Sequence, residues 1–204
     1  QMEREYAQKK EREAKAKQKE AEAEKEASER KTRELHKRLL ENLRRESAEK
    51  MNMVLTLRRC GLNEEMRGYR GALDAPYQEL EKEGVKFPEA EYMMGRFYRA
   101  ILDFGFAEKF IDSALALDCE YGPALYEKVV LTSIKYNREF DRVKSRLESE
   151  RFSEMAREKG VTAEATRGWK QVSAKEVEEA EPSIKELRET MESRAKKLEE
   201  LHNS

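Results

Sequence analysis

The first 34 residues offer a folding chain almost nothing to bury. Between Gln1 and Glu34 most uncharged positions are Ala or Gln, and neither Gly nor Pro interrupts the run. Ala, Glu, Lys, Gln and Arg are the strongest intrinsic helix formers. Charge order adds to this, because Glu5–Lys9, Glu11–Lys15, Glu13–Lys17, Glu26–Arg30 and Glu29–Arg33 each set an acid four residues before a base. That orientation stabilises a helix by about 0.2–0.5 kcal/mol per pair. Low hydrophobicity with high charge is also the composition of disorder, but balanced and paired charge favours a solvated helix.

At Leu35 the character changes. Leu35, Leu39, Leu43, Met51, Val54 and Leu55 recur at near-heptad spacing, and Leu40 and Leu57 widen the stripe. The spacing predicts one helix over residues 1–60, amphipathic from 35, with Gly61 as its C-terminal cap. Such a helix spans on the order of 90 Å at about 1.5 Å per residue. Half of it has no face to bury and half has one, which is a spacer joined to a docking element. Residues 61–87 read as a loop and then a short helix that Asp74 caps, Pro76 opens and Gly84 closes, with Tyr77 and Leu80 inward. The cluster Gly61, Gly68 and Gly71 lacks the ending of a phosphate-binding loop and reads as a connection between helices.

Residues 88–103 and 107–118 both carry helical periodicity, and Phe104-Gly105-Phe106 is read as the turn between them. Small residues at Gly95, Ala107 and Ala114 allow two antiparallel helices to approach closely, while Tyr98, Phe110 and Ile111 fill the space beside them. Packing alone therefore predicts a helical hairpin. The placement of Met94-Gly95, Tyr98, Ala107, Ile111, Ala114 and Cys119 also resembles a tetratricopeptide repeat, with Cys where that family has Pro and Glu91 where it has Trp. A second copy is expected about 34 residues later. Ala124, Tyr126, Asn137 and Phe140 answer Ala90, Tyr92, Asp103 and Phe106, but Val129, Asp141 and Glu148 replace the small residues. Residues 122–136 are thus read as a first helix and 138–159 as a diverged second one, giving tetratricopeptide-like hairpins over 88–160.

Gly160 ends that region, and Val161–Gln171 reads as a linker carrying Trp169. Ser173 and Glu176 form a capping-box pattern. Val177, Ala180, Ile184, Leu187, Met191, Leu198 and Leu201 then give a narrow helical stripe, and Pro182 is placed in the first turn of the main helix. The fold class expected is all-α. The two narrow stripes, 35–57 and 173–202, are candidates for coiled-coil pairing within the chain or between two copies as a homo-oligomer.

Chemistry is sparse. His36 and His202 lie on charged helices and read as surface residues, and metalloprotease, nucleophile-elbow and dinucleotide motifs are all missing. No catalytic, cofactor-binding or metal-ligating residue is assigned, no cofactor is expected, and the chain is read as a non-enzyme. Cys60 and Cys119 read as buried small hydrophobes, with a disulfide left open. Forty-two basic and 43 acidic residues leave a net charge of −1, so no bulk field draws in nucleic acid. Nothing resembles a signal peptide or a membrane span.

Protein–protein interaction is the function that the repeat resemblance implies. In that family the first helices line a groove for a protein or peptide. The corresponding residues here are Tyr92, Arg96 and Arg99 on one helix and Tyr126, Val130 and Ser133 on the next, with the chain's own long helices as the competing occupant of the groove. Two alternatives stand beside this reading. One is a regulatory or sensor segment of a larger membrane-anchored protein, because the organisation resembles the region after the membrane span in some bacterial serine/threonine kinases. The other is a coiled-coil spacer.

Overall fold

A computed structural model describes residues 2–160 and 171–203, the side chains of residues 2–14, 16 and 159 apart. The protein is all-α: eight helices and no strand occur among the described residues. They are α1 (Met2–Arg59), α2 (Asn63–Arg67), α3 (Asp74–Lys82), α4 (Pro88–Ala100), α5 (Phe104–Leu117), α6 (Gly122–Lys159), α7 (Ala174–Ala180) and α8 (Pro182–His202). The chain divides into two compact units, residues 1–86 and 87–204. Trp169 and the linker at 161–170 lie outside the described residues, as do the side-chain pairs Glu5–Lys9, Glu11–Lys15 and Glu13–Lys17.

In the first unit α1 is one unbroken helix of 58 residues. Every described side chain from Lys17 to Leu35 is exposed. Arg33 pairs with Glu29 at 3.4 Å as its spacing requires, but Arg30 reaches forward to Glu34 at 3.2 Å rather than back to Glu26. Burial begins later than the apolar spacing implies. Leu35 and Leu55 are exposed, and the covered stripe is Leu43, Ser47, Met51 and Val54. The small hydroxyl of Ser47 completes a 4-4-3 spacing that apolar residues alone do not mark. Met66, Leu73 and Leu80 from the α2–α3 region supply the buried partners of this unit, and the Tyr69 hydroxyl lies 3.7 Å from Met53 Sδ.

Gly61 sits at φ +75°, and the Leu62 N–H reaches back to the Leu57 carbonyl at 2.9 Å. This is the left-handed cap expected at the end of α1. The segment after it is not all loop, because α2 forms within it. Asp74 is the first residue of α3 rather than its cap; Leu73 holds the cap position without a side-chain bond.

The second unit is built on α4, α5 and α6. Tyr98 of α4 stacks on Phe106 and Phe110 of α5 at centroid distances of 5.2 and 5.5 Å. Gly95 lies against Ala107 and Ile111. Later residues of α4 thus meet earlier residues of α5, and the pair is antiparallel. The turn lies at Ile101–Asp103, three residues before the expected place, and Phe104–Phe106 instead open α5. Leu102 takes a left-handed φ of +64° there, and the Asp103 N–H bonds the Tyr98 carbonyl at 2.9 Å. The Asp103 side chain then accepts from the Phe106 N–H at 3.4 Å and caps α5.

The second hairpin does not form. Helix α6 continues through Asn137 for 38 residues, because no Gly or Pro breaks it and Tyr136, Phe140, Val143 and Leu147 hold a stripe across the expected break. That stripe packs on Val172, Val177 and Ile184. The Ser173–Glu176 capping box is formed, and Pro182 opens α8 after a break at Glu181. Helix α8 lies antiparallel on α6: its residue 194 meets Thr132, while Ile184 meets Val143. Within the stripe at 173–202, Val177 and Ile184 are buried by this packing, Leu187, Met191, Leu198 and Leu201 are half-buried and Ala180 is exposed.

Cys60 and Cys119 are free and exposed, not buried. Each follows the end of a helix, beyond the reach of the packed faces. His36 is half-buried rather than on the surface.

Candidate functional site

The six candidate partner-binding residues lie on α4 and α6, and the structure brings those two helices together. Tyr92 meets Tyr121 edge-on at 5.9 Å, and Arg99 meets Glu127. Contacts at the two ends follow the same order along both helices, so α4 and α6 run parallel with α5 between them in sequence.

The six differ in what they leave available. Arg96 is exposed, and Tyr126 keeps 58% of its surface in solvent. Tyr92, Val130 and Ser133 are half-buried. Arg99 is already engaged: its guanidinium faces both carboxylate oxygens of Glu127, whose side chain is 2% exposed. A carboxylate this deep is tolerated only with such a partner.

The next residue of α6 makes a second clamp. Lys128, 8% exposed, binds Glu108 and Asp112 of α5, each at 2.7 Å. The hydrogen bond from Lys128 lowers the Glu108 pKa below the ordinary range. Consecutive residues of α6 thus fasten it to α4 and to α5. The sequence does not mark these clamps, since Glu and Lys at 127 and 128 look like any other charged pair in this chain. Their one signal is position: they stand between Ala124, Leu125 and Leu131, all buried.

At the start of α6, Tyr126 and Pro123 adjoin Leu198, Leu201 and His202 near the end of α8, leaving an apolar notch. The far end of α8 therefore stands beside one of the six residues. Among the described residues, no group of three or more His, Cys, Asp or Glu side chains could hold a metal ion. No helix among them is long and apolar enough to cross a membrane. No protein-family model, curated protein or solved structure matches the chain.

Proposed function

We propose that this protein is a non-catalytic interaction module in which α4, α5 and α6 form a rigid, tetratricopeptide-like layer that holds a protein or peptide partner. The observation that carries the reading is Tyr126: a large aromatic, 58% exposed, next in sequence to Glu127 and Lys128, whose buried side chains are clamped to α4 and α5. Tyr and Arg are enriched at the energetic centres of interfaces, and exposed Arg96 stands on the parallel neighbouring helix. Close packing of Gly95 on Ile111 and the stacking of Tyr98 support the repeat-like character of the layer. The test is partner capture from the native source by the full chain and by Arg96→Ala and Tyr126→Ala variants, with folding checked by circular dichroism. Capture that survives both substitutions unchanged sinks the reading.

A second role is favoured by one observation. Side chains described between Lys17 and Leu35 are exposed on every side of α1, which suits a spacer. Light scattering separates a lone spacer from a coiled-coil dimer: a mass independent of concentration and equal to one chain removes the dimer.

A further inference from the structure

Between the start of α5, the middle of α6 and α8 lies a cleft of about 360 Å³. Phe104, Leu131, Ile134 and Leu187 give it apolar lining, and Thr132 and Thr190 also line it. Three cations reach it: Lys135 and Arg138 from α6, and Arg194 from α8.

Among the described residues, most other cations on the same helices are paired, Arg157 and Lys197 apart, and neither of those two lines the cleft. On α8, Lys185 pairs with Glu189, Arg188 with Glu178 and Glu192, and Lys196 with Glu200. On α6, Arg142 pairs with Glu139 and Lys144 with Glu148. Lys135, Arg138 and Arg194 have no carboxylate within ion-pair distance among the described residues. Arg194 instead donates to the Thr132 hydroxyl at 2.5 Å, and Arg138 lies 5.6 Å over the Phe104 ring. Of the carboxylates lining the cleft, Glu139 is held by Arg142 at 2.8 Å and Glu108 hydrogen-bonds to Lys128 at 2.7 Å, while Lys135 and Arg194 act on Glu108 only through their more distant charges. Lys135 and Arg138 are three apart on one helix, a spacing at which like charges repel. An anion seated among the three would convert that repulsion into charge-assisted hydrogen bonds.

We propose that this cleft binds a small organic anion, its carboxylate or phosphate held by Lys135, Arg138 and Arg194 and its compact apolar body lying against Phe104, Leu131 and Leu187. The volume sets the size class: it falls at the low end of small-molecule sites, which run about 300–1,000 Å³. Neither Arg96 nor Tyr126 lines this cleft, so the proposal stands apart from the partner-binding reading.

The experiment is a titration of the full chain followed by amide chemical shifts. Its probes are phenyl phosphate, benzoate, inorganic phosphate and the neutral benzyl alcohol. The expected result is saturable shifts at Thr132, Lys135, Arg138 and Thr190 with phenyl phosphate or benzoate, and none with benzyl alcohol. Arg194→Gln and Lys135→Gln each weaken binding about tenfold or more, the usual loss for a hydrogen bond to a charged group. Lys135 is exposed and forms no ion pair within 4 Å among the described residues, so its variant keeps the test valid should Arg194→Gln disturb the α6–α8 contact. Absence of saturable shifts with every probe, or binding untouched by Lys135→Gln, overturns the proposal. Inorganic phosphate binding as tightly as phenyl phosphate overturns the assignment of the apolar body.

Discussion

Gly95→Ala tests how closely α4 and α5 are packed. A Cβ at this position would lie 2.7 Å from both Cγ1 and Cδ1 of Ile111 and 3.1 Å from the Ala107 carbonyl oxygen. Two effects compete. Replacing Gly by Ala inside a helix gains about 1 kcal/mol of intrinsic propensity. Forcing a methyl into a filled space costs about 1–3 kcal/mol. The second wins here, because Ile111 is fully buried and stiff about its first side-chain torsion, and the carbonyl moves only if α5 moves. The expected net loss is about 1 kcal/mol. Ile111→Ala alone costs about 2–5 kcal/mol, yet it removes both clashing carbons, so adding Gly95→Ala to it should restore stability instead of lowering it further. Gly105→Ala is the control, since nothing lies within 4 Å of its Cβ position. Urea denaturation, with hydrogen exchange at α4 and α5 amides, reads all four variants. A Gly95→Ala protein as stable as the parent, or two substitutions whose effects simply add, refutes the close-approach argument.

Arg99→Ala should be more damaging than Glu127→Ala. The first strands a carboxylate that is 2% exposed, whereas the second leaves an arginine that is 27% exposed and able to turn toward water. The loss for stranding a buried charge is about 3–5 kcal/mol, and Arg99→Ala with Glu127→Gln should recover part of it in denaturant melts. Acid should loosen α5 from α6. The Glu108 pKa is lowered by its bond from Lys128, so its contribution is present above the unfolded value of about 4.3 and is lost as pH falls through the lower folded one. Carbon-detected titration of Glu108 checks this, and Lys128→Met should raise its pKa, Lys135 and Arg194 still acting to lower it. Ser173→Ala should cost about 1 kcal/mol at the α7 cap and raise the Glu176 carboxyl, now lowered to about 2 first by the Ser173 backbone N–H and then by its hydroxyl and Arg151. Proton titration of that group reads the change. Both Cys60 and Cys119 should react with a thiol reagent in the folded protein, and protection of either contradicts their exposure.

Legibility in this sequence follows the range of the interaction that sets each feature. The α1 helix, its Gly61 cap, the capping box at Ser173 and the Pro182 start are local, and neighbouring residues announce them. The α4–α5 pairing was readable because Gly95, Ala107 and Ala114 are small at spacings that only close packing uses. The second hairpin failed for the opposite reason. Asn137 looked like a turn only by its offset from Asp103, while the Tyr136–Phe140–Val143–Leu147 stripe beside it continued without a break. Ser47 and Glu127 are buried by partners distant in sequence, and nothing about a serine or a glutamate marks it for the interior. The cleft beneath Arg194 joins residues 62 apart, a juxtaposition only the folded chain supplies.

Glu127 and Lys128 have opposite signs, and they act together as a rotational lock on α6. Successive residues on a helix are about 100° apart around its axis. Turning α6 by one residue in one sense sets the Glu127 carboxylate against Glu108 and Asp112; turning it in the other sets Lys128 against Arg99. Each misfit brings like charges together, at about 4 kcal/mol for a pair 4 Å apart in an effective dielectric of about 20. Leu125 and Leu131 would tolerate a modest twist, since apolar contact has little directional preference. The angle at which α6 displays Tyr126 is therefore set by the two charges beside it.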